Sequence, residues 1–317
     1  MARDFPEKLP DCGLAAVLLC SPITMPTFSV IIPTFGRPDQ LQTCLDTLVD
    51  VEPPSDGFEV VVVDDGTPEP VEPQLKPWLD RLSLTVLRQE SSGPGPARNL
   101  GLASARGRFI AFADDDCLID PGWLQALEAA FIRHPHAMLG GRTVQRPGDP
   151  YSEANQLIGD AVHRFYNESG DGARFFPSNN LAVPTEPLRD AGGFHPDFYP
   201  HASEDRELCD RWRHLGHDLV YVPEASLVHA RPASFRRYWR QHFNYGRGAH
   251  HYHRLRAERS SGQLRDDAVF HRRLPAMLRE PLSQLPIGKR TEALALLGIW
   301  QLANAAGYFK ERLTTPG

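Results

Sequence analysis

Apolar residues fall along this chain in two alternating patterns. Phe28–Pro33, Phe58–Val63 and Arg108–Ala113 are short apolar runs. Their length and β-branched content predict strands. Their lack of polar alternation predicts burial on both faces. Between them the spacing changes to that of a helix. Leu41, Cys44, Leu45 and Leu48 share one face over 39–49, and Leu100 and Ala103 share one over 97–105. A Pro-rich helix near 71–81 and a strand over 82–87 complete the segment. Strands alternating with helices predict parallel βαβ units, with ligands bound at the carboxyl ends of the strands.

Past residue 120 the pattern loosens. It predicts a helix over 123–133, a strand over 137–144, and loops around one helix over 145–177. A short strand over 179–183, a helix over 204–215, and two short strands over 219–222 and 226–229 follow. The rest reads as helices, the last over 290–313, suited to pack on the domain, on a second subunit as a homodimer, or along a membrane surface. No repeats are present.

Composition narrows this picture. The 317 residues carry 34 Lys+Arg against 40 Asp+Glu, a net charge of −6, which argues against a nucleic-acid partner. The charge is uneven. Residues 231–273 hold 11 Arg and no Lys against Glu258, Asp266 and Asp267, or +8, leaving −14 for the remainder. Cys12, Cys20, Cys44, Cys117 and Cys209 form no CxxC pair, so a reducing, cytoplasmic setting is the simplest expectation. No run of about 18 apolar residues is present to span a bilayer. Residues 1–27 read as an N-terminal extension, of which 1–24 are expected to be dispensable.

Acids end two of the strands: Asp64-Asp65 and Asp114-Asp115-Asp116. A carboxylate at a strand end is commonly a cap or turn former. Three in succession repel one another unless hydrogen bonds or a cation offset them. A hard divalent ion bridging to phosphates is a natural partner for such a cluster.

Phe28-Ser-Val-Ile-Ile-Pro-Thr-Phe-Gly-Arg37, Val61-Val-Val-Asp-Asp-Gly-Thr67, Gly95-Pro-Ala-Arg-Asn-Leu-Gly101 and Phe109-Ile-Ala-Phe-Ala-Asp-Asp-Asp116 resemble, in order and spacing, the nucleotide-sugar half of a family 2 glycosyltransferase. Ser178-Asn-Asn-Leu-Ala-Val183, Gly192-Gly-Phe194 and Ser203-Glu-Asp205 resemble its acceptor half. The resemblance implies a GT-A fold: an α/β, Rossmann-like, mostly parallel sheet flanked by helices, here with a helical C-terminal extension. It divides the chain into a nucleotide-sugar half at 28–120, an acceptor half at 121–230 and a basic helical region at 231–317.

The resemblance also implies roles. Pro33, Thr34, Arg37, Asp65, Arg98, Asp114 and Asp115 would contact a nucleotide-diphosphate sugar. Asp116, with His229 24 residues after Asp205, would hold Mn²⁺ or Mg²⁺. Asp205 would be the general base of an inverting transfer, opening a helix capped by Ser203. Asn179, Asn180, Glu204 and Trp212 would face the acceptor, whether a glycan, a lipid-linked molecule or a small molecule. His195 and His201 would be loop residues near that site. Asp210-Arg211-Trp212 lacks the Gln of processive relatives, which favours transfer of one hexose at a time.

In the basic segment, Arg236, Arg237, Arg240 and Arg247 interleave with Phe235, Tyr238, Trp239, Phe243 and Tyr245. That mixture suits a solvated helix face, a phosphate-facing arginine gate, or peripheral contact of 231–313 with the inner face of a membrane. His250, His251 and His253 lack the partners of a structural metal site. Two other readings are a nucleotidyltransferase and a catalytically silent sugar- or membrane-binding module. The first lacks a Gly-rich, Lys-bearing loop after Pro33. The second would not need the acid cluster or Glu204-Asp205.

Overall fold

The computed structural model describes residues 25–168, 172–198, 202–230, 234–262 and 264–314, the side chains of 264 and 266 aside. The extension before Met25 and His201 lie outside the described residues.

The chain order begins β1 (Phe28–Thr34), α1 (Pro38–Val49), β2 (Phe58–Asp64), α2 (Lys76–Leu79), β3 (Leu84–Arg88), α3 (Pro94–Ser104) and β4 (Phe109–Ala113). Next come β5 (Cys117–Ile119), α4 (Trp123–Arg133), β6 (Met138–Gln145), α5 (Pro150–Asn167), β7 (Asn180–Pro184) and α6 (Thr185–Asp190). The order ends with α7 (Glu204–His214), β8 (Leu219–His229), α8 (Phe235–Arg259), α9 (Leu264–Gln284) and α10 (Ile287–Thr314).

The eight strands form one sheet in the order β3-β2-β1-β4-β7-β6-β8-β5. Its first four strands are mutually parallel. β7 then runs antiparallel between β4 and β6, and β5 runs antiparallel to β8. As expected for a sheet covered on both faces, every residue of β1 and β4 is buried. One core lies under α1 and α4, and the other under α3 and α7.

Two local features differ from the sequence expectation, and both shape the site. The two short strands over 219–229 are one strand. Gly141 pairs with Val222 and Arg142 with Ser226, so Pro223–Ala225 bulge out and the pairing resumes beyond them. The other feature is β5, too short to show a period. Its pairing of Cys117 with His229 carries the acid cluster to the end of β8.

Helices α5, α8, α9 and α10 share a third core, built on Tyr238, Phe270, Leu274 and Trp300. The last helix packs on its own chain, along α8 and α5. Among the described residues, no helix is long and apolar enough to cross a membrane. Cys44, Cys117 and Cys209 are buried free thiols.

Candidate active site

The ends of β1, β2 and β4 meet at one edge of the sheet, and side chains there interlock. Thr34 Oγ1 donates to Asp115 Oδ2 at 2.7 Å. Arg37, preceding α1, forks to Asp115 Oδ1 at 2.9 Å and Asp116 Oδ2 at 2.5 Å. Arg98, buried in α3, pairs with Asp114 at 2.7 Å and with Glu204 at 3.1 Å. These two arginines offset repulsion that the sequence alone assigned to a metal. Burial, only partly countered by Arg37, still pushes the Asp115 carboxyl up to about 7.

Ligand atoms of Asp114, Asp116 and His229 all lie within 4.8 Å of one another. Two carboxylates and an imidazole fit Mn²⁺ or Mg²⁺, and Asp114 joins the pair expected from the sequence. The imidazole is also oriented for the task. His229 Nδ1 lies 3.3 Å from Gln145 Oε1, which turns Nε2 to face Asp116 Oδ1 at 3.0 Å. An outer partner that fixes the tautomer is the usual companion of a metal-binding histidine. Nothing in the spacing of Gln145 marked it beforehand.

The base candidate sits across from this cluster. Glu204 and Asp205 open α7, where the helix dipole favours negative charge. Glu204 is buried and Asp205 half-buried, and loss of solvent raises the proton affinity of each. Asp205 also lines a cavity of about 580 Å³, together with Asn179 and His229. Ser203 precedes the helix, but its side chain makes no capping bond. Its backbone is left-handed, with φ of 83°.

Some expected contacts are otherwise engaged. Asp65 accepts bonds from Ser92 N at 2.8 Å, Gly93 N at 2.9 Å and Gln89 Nε2 at 2.7 Å, so it shapes the loop leading into α3. Asn180 is a structural rivet and not an acceptor contact. Its Nδ2 reaches Arg142 O and Ala225 O, each at 3.0 Å, and its Oδ1 accepts from Trp123 Nε1 at 2.9 Å, fastening the bulge of β8. Trp212 does not reach the site at all. It is fully buried, with Nε1 bonded to Asp218 O at 3.2 Å, because helical spacing turns it to the core along with Leu208. Among the clustered histidines, His251 gathers with His195 and Asp197, and His253 pairs with Asp267 at 3.0 Å.

A half-parallel sheet with an acid cluster at its carboxyl edge, extended by antiparallel strands toward a helical lobe, is the GT-A class. A mannosyltransferase from Pyrobaculum calidifontis, solved with GDP-Man and Mn²⁺, superposes with a TM-score of 0.66 over 93% of this chain and 89% of its own, at 20% identity. The family model for glycosyl transferase family 2 matches residues 29–185. Glycosyltransferase AglE of Haloferax volcanii is 35% identical over 230 residues, 71% of this chain and 73% of that protein. The chain therefore belongs to glycosyltransferase family 2. Pre-mycofactocin glycosyltransferase of Mycobacterium tuberculosis is 31% identical over 179 residues, 55% of this chain. The match spans only 37% of that relative's length.

Proposed function

We propose that this protein is an inverting, metal-dependent glycosyltransferase that moves one hexose from a nucleotide-diphosphate sugar to an acceptor hydroxyl. The observation that carries this reading is the meeting of two sites at His229. On one side it faces Asp116 in the Asp114–Asp116 cluster, and on the other it lines the cavity that Asp205 also lines. A donor diphosphate at the first and an acceptor hydroxyl at the second would meet there.

Thr34 and Arg37 hold Asp115 and Asp116 in place for the donor. Arg98 ties Asp114 on the donor side to Glu204 on the acceptor side. Asp205 takes the proton from the acceptor oxygen as it attacks the anomeric carbon, on the face opposite the leaving group. Mn²⁺ or Mg²⁺, held by Asp114, Asp116 and His229, would supply Lewis-acid stabilisation of the departing diphosphate. Support for the donor class comes from the fold neighbour solved with GDP-Man and Mn²⁺. The exposed Arg-aromatic start of α8 suits peripheral contact with an anionic membrane.

The test is Asp205→Asn. Transfer should fall by about 10²–10⁴-fold, the usual share of a general base, with donor affinity unchanged in calorimetry. Chelation should stop wild-type turnover and added Mn²⁺ restore it. Full activity in the variant, or turnover indifferent to chelation, would overturn the respective assignment.

A further inference from the structure

The 580 Å³ cavity is lined by both Asp205 and His229, and its volume suits a single ligand of about drug size, in the range of roughly 300–1,000 Å³. One wall is the end of β6 and another is α5. The segment 175–179, the start of α7 and β8 also line it, and the helices of the C-terminal extension, α8, α9 and α10, supply the largest share, so the added lobe shapes it. Aromatic rings line it, among them Tyr166, Phe175, Tyr221, Tyr245 and Tyr308. Rings of this kind pack on flat apolar faces and leave hydroxyls for polar groups to read.

The polar lining is close to charge-neutral. Arg206 and His253 both pair with Asp267, at 3.4 and 3.0 Å. Burial lowers His163 and His271, and pushes His242 down to about 4, so these three imidazoles are uncharged at neutral pH. Arg142 stands at the exposed rim.

His242 has an additional property. It is 2% exposed, and its Nε2 lies 3.0 Å from Asn155 Oδ1. An amide oxygen only accepts, so Nε2 carries the hydrogen and Nδ1 presents a lone pair. That Nδ1 has no partner in the protein among the described residues. A buried polar atom left unpaired is costly, and a ligand hydroxyl would satisfy it.

We infer that this cavity seats the acceptor, that it selects one compact, uncharged, hydroxyl-bearing ring molecule or terminal ring, and that His242 accepts a hydrogen bond from one of its hydroxyls. The inference rests on the reading of Asp205 as the base. It assigns specificity to the C-terminal helices rather than to the loops around the sheet.

Gly159 provides the test. It lies at an exposed position of the α5 wall, and a Cβ built there meets no atom within 4 Å, so Gly159→Phe adds a ring at this wall without its Cβ displacing a neighbour. Losing a helical glycine also favours the fold. Methyl β-glucoside and p-nitrophenyl β-glucoside serve as neutral-ring probes and glucose phosphate as the anionic comparator, each titrated calorimetrically into the full chain. At least one neutral probe should bind wild type more tightly than the phosphate. Gly159→Phe should weaken that probe by about tenfold or more. His242→Gln keeps a donor for Asn155 and moves the acceptor away from the Nδ1 position, and should weaken it about three- to tenfold. The inference is overturned if no neutral probe binds, if the phosphate binds best, or if Gly159→Phe leaves the affinity unchanged. Metal-dependent hydrolysis of the donor by the wild type is read in parallel. Its presence alongside any of those outcomes rejects the cavity assignment alone, and its absence rejects the glycosyltransferase reading on which that assignment rests.

Discussion

Glu204 and Asp205 share the first turn of α7, with Arg98 bonded to Glu204 and Asp114 facing it. Burial first, and the charge of Asp205 second, push the Glu204 carboxyl up to about 7, against the pull of Arg98. The pair titrates as a unit, and Asp205 cannot accept a proton until the pair has released one. The acid limb of kcat/KM should therefore be shifted upward from the ordinary carboxylate range of about 4, in the direction in which burial moves Asp205. A profile still flat at about pH 4 would contradict it. Stability should move the other way. The folded carboxyl holds its proton above its ordinary value of 4.5, so between 4.5 and about 7 the native state binds more protons than the unfolded chain. Its contribution to stability then falls as pH rises. Melting temperatures across that window should drop more in wild type than in Glu204→Gln. The identities of these acids were legible in the sequence, because chemistry at a strand end or helix start leaves a local motif. The fate of Asn180 was not, whereas helical spacing already sets Trp212 beside Leu208 on the buried side of α7. Whether a polar side chain faces a ligand or a bulge depends on strands 40 or more residues away, as the bond from Asn180 to Ala225, 45 residues on, illustrates.

Helices α8 and α10 cross with their backbones in contact, and two glycines permit it. A Cβ at Gly246 would lie 2.0 Å from Asn304 O, and one at Gly307 would lie 2.0 Å from Phe243 O. Both obstructions are backbone, so no side chain can rotate away. Gly246→Ala should cost roughly 1–3 kcal/mol, as overpacking does, despite the better helix propensity of alanine. The midpoint of denaturant unfolding measures this, and an unchanged midpoint would show that the helices can separate freely. Because Gly246 also lines the cavity, the same variant should disturb its wall. Most strands and helices of the βαβ half were legible within a residue or two, since continuous apolar runs and helical spacing are local signals, but α3 starts three residues before the expected 97 and α2 covers only the later part of the expected 71–81. The short β5 and the bulged β8 were not. Their existence depends on pairing with each other, and Pro223 interrupts the pattern that would have joined the two halves of β8.

Over the whole molecule, the +8 segment is partly neutralised by the acidic body. Arg259 bridges Glu207 and Asp210 of α7 at 2.8 and 2.9 Å, Arg256 reaches Asp210 at 3.3 Å, and Arg247 pairs with Glu311 at 2.8 Å. The basic excess thus serves first to bind the C-terminal lobe to α7, beside the candidate base. What faces solvent is the start of α8, where Arg236, Arg237 and Arg240 flank exposed Phe235 and Trp239. Helix α10 runs alongside α8 in the same direction, Leu296 beside Tyr238 and Glu311 beside Arg247, so its own exposed end at Phe309 and Leu313 lies by the later turns of α8 and apart from this patch. Basic side chains around apolar ones fit an anionic bilayer surface, each cation contributing about 1 kcal/mol at low salt. The protein should float with phosphatidylglycerol vesicles and not with phosphatidylcholine vesicles. Binding should weaken in high salt, because exposed charges are screened over about 3 Å at 1 M. Arg236→Ala with Arg240→Ala should weaken it at low salt, while Trp239→Ala should weaken it at any salt. Equal flotation with both lipids would leave the apolar residues alone responsible, and no flotation with either would confine the basic segment to its role as an internal clasp.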